Sequence, residues 1–460
     1  MNKTDIKDQE VTKNLSNFEF FFKADEKTLL RDLKLAFGPE LDRLKNAYSI
    51  RDSPGSEPTI LSPSNILYNK EYDEINRTLV GILTLRWIYN GEYDVLVAAQ
   101  PEHIRLSKDS FTWLRGLVLD TIKGSDDLLT LITSMIINDL GKDPNLASDY
   151  HKATGLDISG DNHDAILYKA VQNGMVPSLD RLNPEQKADL LRGLELGAVF
   201  NYGQLAQAES PPASLKSLVR FSSYKKAVEM HFIEQVLDVA SAAGHMDWTC
   251  AKKLVEPIIL TYQITHNIVM EITNISQSEH SLHDRYDQVL VYRAQLLSRK
   301  GFTQLGVKDD NERAFLRLLC MGNASDLAHA NLFQSTWRSL DEPIRNLLIR
   351  ALNNDGSPEE PAVQPTYMPA FLTQVYKSSN GRIGGQHALN SALRYLARVM
   401  TLDKALTPNG TIILERSVLE VVKTTIQTHQ FQDDPTILES IAVPEGQVAL
   451  HIRDLSSVDL

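Results

Sequence analysis

Only two cysteines, Cys250 and Cys320, occur in 460 residues, and neither has a CxxC partner. That excludes a disulfide framework and a thiolate zinc site, and leaves both as small buried hydrophobes. No apolar run approaches the roughly 20 residues that a membrane-spanning helix needs. The opening MNKTDIKDQEVTKNLSN has no apolar signal core, so the expectation is a cytoplasmic protein without a membrane span. Positive charge is also in deficit: 47 Lys plus Arg stand against 59 Asp plus Glu, a formal net charge of -12. A protein whose main task is to coat nucleic acid needs the opposite balance, although local basic pairs still permit docking of one RNA end. Missing too are a GxSxG elbow, an HExxH, a Walker sequence and any repeat of solenoid period.

What is present is an ordinary globular composition, 42% hydrophobic and 23% charged, which specifies a packed core. The length suits two packed lobes better than one core. Apolar residues recur with helical spacing along most of the chain, so the fold class is all-α: a multi-helix globular bundle in two helical lobes, with short β-like runs in the C-terminal tail. Residues 1–17 read as a disordered lead, 18–210 as an N-terminal helical lobe and 211–352 as a central one. Residues 353–369, rich in proline, read as a linker, and 370–460 as a C-terminal helix and tail. Arg51–Ser64 is a second proline-rich loop. Phe22, Leu29, Leu33 and Phe37, at steps of seven, four and four, mark a helix that Gly38-Pro39 breaks. Pro184 to Ala208 reads as one long helix, 222–253 as one or two, and Ala324 to Leu352 as helix. The β-like runs are Thr411–Leu414 and Val448–Ile452.

Three polar constellations interrupt this pattern. In the first, an apolar helix runs into Asn138-Asp139 and stops at Gly141-Lys142, and Asp161-Asn162-His163-Asp164 then leads into AILYKAV. Read simply, Asp161 or Asn162 caps that helix and Asp164 complements its dipole. In the second, Gly193, Gly197, Asn201, Gln204 and Ala208 recur at three- and four-residue steps and so share one helix face. Helical glycines cost about 1 kcal/mol each, which points to close packing or ligand approach. In the third, His231, Glu234, Asp238 and His245 follow steps of three, four and seven, with Asp247 just beyond. His and Glu at i and i+3 can bind a metal, and an array of carboxylates can hold a guanidinium; a solvated stripe is the competing explanation. Lys225-Lys226, Lys252-Lys253 and Arg394/Arg398 are local basic pairs. Gly381-Arg382-Ile383-Gly384-Gly385 reads as a turn, and Asp309 to Glu312 as a helix N-terminus.

The run NDLGKDP resembles the HD-superfamily metal motif, in which a His-Asp pair at a helix end precedes Leu-Gly-Lys. Here Asn138 holds the histidine position, and an amide is a poor transition-metal ligand. The likeness implies a divalent metal (Fe, Mn or Zn) on Asp139, His163 and Asp164, with Asp238, in a hydrolase or oxygenase. Over residues 120–400 the blocks NDLGKDP, RGLELG, NYGQLAQAE, SAAGHMDWTCAKKL and LLCMG resemble a filamentous-fungal family of specialised metabolism, and are similar to the arginine-containing cyclodipeptide synthases. Those enzymes carry an acidic motif of two Asp and a Glu after two intervening residues; the nearest run here, Asp309 to Glu312, has one. The resemblance implies a tRNA-dependent enzyme that joins an arginyl and a second aminoacyl group from charged tRNAs into a diketopiperazine, without a cofactor. His231, His245 and Glu234 are then the catalytic candidates, with either histidine as general base. Asp238, Glu195, Asn201, Gln204, Glu209 and Asp247 are the substrate-binding candidates. A non-catalytic helical interaction protein, its polar stripes merely surface, is the third expectation.

Overall fold

The computed structural model describes residues 3–47, 58–274, 279–378, 385–403, 405 and 407–456. Among them helices dominate and one small sheet occurs, as expected for an all-α chain with short strands near its C-terminus. The chain forms two compact units, Met1–Ala198 with Tyr224–Leu260, and Val199–Ser223 with Thr261–Leu460. The expected divisions at 210 and 352 follow breaks in helical pattern. The observed units follow contact instead, and residues 199–223 pack with the second.

The first unit is built on the Asp73–Asn90 helix, which is buried from Glu74 to Ile88 apart from Arg77. It packs on the Lys225–Ser241 helix. Glycines set how closely: a Cβ on Gly244 would lie 3.0 Å from Val80 Cβ and 3.2 Å from Arg77 Cα. Around this pair stand the Lys108–Thr121, Ser125–Ile137, His163–Gln172 and Pro184–Gly197 helices. Their starts are locally encoded. Ser107, Asn162 and Asn183 each accept a backbone N–H three residues on, which satisfies donors the helix cannot.

Residues 3–16, expected as part of a disordered lead, form the Lys3–Ser16 helix. Val11 and Leu15, one turn apart, are buried; two docked residues suffice once a core exists, yet leave almost no periodic signal in the sequence. The short helices Phe18–Lys23, Glu26–Ala36 and Gly38–Leu44 follow. Phe22, Leu29, Leu33 and Phe37 are all buried, and a break falls at Phe37, before Gly38-Pro39 as expected. The helix expected to carry all four is also parted at Ala24-Asp25, where Asp25 accepts the Thr28 N–H and starts the second. Residues 51–57 of the expected loop lie outside the described residues.

In the second unit Phe333, Trp337, Phe371, Leu389, Leu393 and Phe431 pack in one core. The expected Ala324–Leu352 helix is two, Leu327–Ser339 and Glu342–Asn353, the second opening with Pro343 in its first turn. Strand β1 (Ala362–Thr366) runs parallel to β2 (Thr411–Ser417), which pairs antiparallel with β3 (Gln447–His451). β1 is wholly buried and lies inside the expected linker 353–369. Its proline is tolerated because β1 is an edge strand, paired on one side only. Fully buried Arg317 donates to the carbonyls of Ala208, Glu209 and Leu352. Cys250 and Cys320 are buried free thiols.

Candidate acid–base site

Four elements of the first unit bring charged side chains together. The Asp73–Asn90 helix supplies Glu74 and Arg77 from one turn, and the turn after the Ser125–Ile137 helix supplies Asp139 and Lys142. The Lys225–Ser241 helix supplies Asp238, and His163 and Asp164 open the His163–Gln172 helix. Lys142 Nζ lies 2.8 Å from Asp139 Oδ1 and 3.5 Å from Glu74 Oε2. Arg77 reaches Glu74 Oε1 at 2.7 Å and Asp238 Oδ1 at 3.6 Å. His163 Nε2 is 3.5 Å from Asp164 Oδ1. Gly141 makes the juncture possible. A Cβ there would stand 1.9 Å from the His163 carbonyl oxygen, so only glycine lets the Leu140–Lys142 turn lie against the start of the next helix.

The cluster grades from sealed to open. The Glu74 side chain is 0% exposed, Asp139 7% and Asp238 34%, with His163 and Asp164 each about a quarter exposed. Burial, reinforced by the charge of Asp139, pushes the Glu74 carboxyl up to about 7 despite Lys142 and Arg77. Burial also opposes charge on Asp139, but Lys142 and Arg77 outweigh it and hold that carboxyl well below the usual carboxylate range. Asp164 and Asp238 are raised, by burial first; Asp139 adds to the shift of both. Lys142 and Arg77 are raised although burial opposes it, because Asp139 and Glu74 face them. Within this pair the charge is favoured on Asp139, which the two cations face, and the proton on the sealed Glu74.

Asp139 lies within electrostatic reach of His163, Asp164 and Asp238, the set expected to hold a metal. Their surroundings do not fit a divalent ion: Asp139 is held by an ammonium and Asp238 faces a guanidinium. Among the described residues no group of three or more His, Cys, Asp and Glu side chains is arranged to hold a metal.

His231 and Glu234 are inward on the same helix, with His231 Nδ1 3.8 Å from Glu234 Oε2 and the Ser134 hydroxyl donating to Glu234. They are closed in. The space beside them measures about 10 Å³, and a Cβ on Gly197 would lie 2.9 Å from His231 Cε1. The helical glycines make room for the imidazole itself. The four-residue stripe is cut to three, because the helix ends at Ser241 and His245 sits in the turns beyond, half-buried. Asp247 accepts the Thr249 N–H and hydroxyl at 3.1 and 2.7 Å, holding its own turn.

The long helix expected over 184–208 ends at Gly197, and Asn201 starts a new one by accepting the Gln204 N–H. Gly193, Gly197, Asn201, Gln204 and Ala208 therefore do not share a face. Asn201, Gln204 and Glu209 belong to the second unit, apart from Glu195, His231, Glu234, Asp238, His245 and Asp247 in the first. Gln204 accepts from Gln364 at 2.9 Å. Glu209, pushed up to about 8 by burial, accepts the Met368 N–H at 2.6 Å. Glu195 pairs with Arg192 at 2.6 Å beside a cavity of about 610 Å³ that Tyr168, Val171 and Leu191 also line.

The basic pairs are largely engaged. Lys226 holds Asp127 and Asp189, Arg394 holds Asp341, and Arg398 donates to three carbonyls. Asp309 caps the Asp310–Met321 helix, as expected; residues 381–384 lie outside the described residues.

Residues 30–438 match the model of a family of unknown function, DUF6829. The chain belongs to that family. No curated protein and no solved structure matches it. The matched span includes every member of the cluster, from Glu74 to Asp238. No helix among the described residues is long and apolar enough to cross a membrane.

Proposed function

We propose that the chain is an enzyme that works by general acid–base catalysis at the Glu74–Asp139–Asp238 cluster, on a substrate with a cationic group. One observation carries this reading: two sealed carboxyls, Glu74 and Asp139, share Lys142 at 3.5 and 2.8 Å, and Arg77 links Glu74 to Asp238, a third of whose side chain is exposed beside the partly exposed His163 and Asp164. A proton carrier with a pKa near the working pH is what acid–base catalysis requires. With Lys142 and Arg77 facing the sealed Asp139 and Glu74, Asp164 and Asp238 give the open side its acidic lining, which favours a guanidinium or ammonium group there.

The finer form of the proposal is transfer of an arginyl group from charged tRNA and its closure with a second aminoacyl group into a diketopiperazine. The amine of one aminoacyl group attacks the ester carbonyl of the other, whose bond to its ribose oxygen breaks as an amide forms. The free amine of the resulting dipeptidyl ester then attacks the remaining ester, breaking the second ribose bond and closing the ring. A base at the open side takes the amine proton, and the leaving ribose oxygen receives one. The ester is already activated, so no nucleotide is consumed. The closed position of His231 moves the base to Asp238 or His163.

Calorimetry with agmatine and arginine methyl ester tests the coarser form; wild type is expected to bind and Asp238→Asn to lose at least tenfold in affinity. No binding of either probe overturns it. Incubation with charged tRNAs including arginyl-tRNA, followed by mass analysis for cyclic dipeptides, tests the finer form, which absence of product would sink.

A further inference from the structure

We infer that Arg77 and Lys142 are the resident counter-ions of the cluster and exclude a divalent ion from among its carboxylates. The inference deepens the acid–base reading of the same residues, but its test reads metal binding and not turnover.

The argument begins with the contacts. Lys142 spans Asp139 and Glu74, and Arg77 spans Glu74 and Asp238. Every carboxylate of the sealed part therefore faces a chain-borne cation, and Glu74 faces two. A divalent ion entering among them would have to displace an ammonium 2.8 Å from Asp139 or sit against the charge of both cations.

The backbone is shaped to hold these cations. The missing Cβ of Gly141 seats the Asp139–Lys142 turn against His163, and the missing Cβ of Gly244 lets its loop reach the Arg77 backbone.

Neutralising the cations should then open the cluster to such an ion. With Arg77→Met and Lys142→Met, up to four carboxyls and His163 face one another without compensation. Buried charges left unpaired are strongly destabilising, so the fold gains by protonation or by taking a hard, oxygen-preferring cation.

The experiment uses the full chain with Mn²⁺ as the probe. Dialysed wild type is expected to hold no stoichiometric metal by elemental analysis, and millimolar Mn²⁺ is expected to leave its melting temperature unchanged. The double variant should melt lower and recover by roughly 3 °C or more in millimolar Mn²⁺, and adding Asp139→Asn should abolish the recovery. About one ion per wild-type chain overturns the inference, as does a folded double variant indifferent to Mn²⁺. If the double variant does not fold, Lys142→Met alone carries the same test: recovery supports the inference and indifference overturns it. Loss of guanidinium binding with the metal results intact would sink the acid–base reading alone.

Discussion

Replacing Glu74 by glutamine should change how the stability of the first unit depends on pH. The carboxyl moves from an ordinary value of 4.5 to about 7 in the folded chain. At 1.36 kcal/mol per unit, that displacement is worth about 3 kcal/mol. The sign follows from proton binding. Between pH 4.5 and 7 the folded chain keeps a proton that the unfolded chain has released, so this group makes stability fall as pH rises through that window, levelling above about 7. Glutamine cannot titrate, so Glu74→Gln lacks the fall. Losing the contacts to Arg77 and Lys142 adds an offset that does not vary with pH. Asp164 and Asp238, also raised, are present in both proteins and largely cancel. The stability of Glu74→Gln relative to wild type should therefore increase by about 3 kcal/mol between pH 4.5 and 8. Urea unfolding followed by tryptophan fluorescence suits the question, since Trp87, Trp113 and Trp248 lie in the first unit and only Trp337 in the second. A difference that stays flat within about 0.5 kcal/mol over that range would refute a sealed, displaced Glu74.

Gly141→Ala should destabilise the first unit by on the order of 3 kcal/mol and abolish guanidinium binding, because the new methyl meets backbone. Gly116→Ala, in the Lys108–Thr121 helix with nothing within 4 Å of the added atom, should instead stabilise by up to about 1 kcal/mol; equal effects in denaturant titrations would contradict the packing argument. Arg317→Met should cost the second unit roughly 3 to 5 kcal/mol by removing the Arg317 donor from the Leu352 and Glu209 carbonyls and leaving that of Ala208 to the Tyr286 hydroxyl at 3.4 Å. A loss under about 1 kcal/mol would show that they find other partners.

Legibility from sequence followed the range of the interactions. Asp139, His163 and Asp164 are announced by local chemistry, a glycine turn and an asparagine cap, and Asp238 by its place on a helical stripe. Glu74 and Arg77 are not. They lie at the start of a helix buried on every side, where an acidic first turn looks like ordinary complement to the helix dipole. Only assembly of four segments makes them partners. The close packing expected at Gly193 and Gly197 is there, the Pro184–Gly197 helix lying on the Lys225–Ser241 helix, but that the room is filled by the His231 imidazole was not readable from the sequence. Asn201 and Gln204 share a face with Gly193 and Gly197 only if the periodicity runs on past Gly197, and the cap at Asn201 ends it there and divides the segment between units. β1 escaped notice because its burial comes from pairing with a strand some fifty residues later.

The excursion of residues 199–223 has a consequence for how the protein is made. The Asp73–Asn90 helix, buried nearly all round in the finished fold, emerges from the ribosome long before its partner at 225–241. Until about residue 260 is synthesised it has no complete shelter, and during that interval it is exposed to aggregation and to chaperone capture. A fragment cut after Ala198 would be trapped in that unfinished state, however intact its own helices.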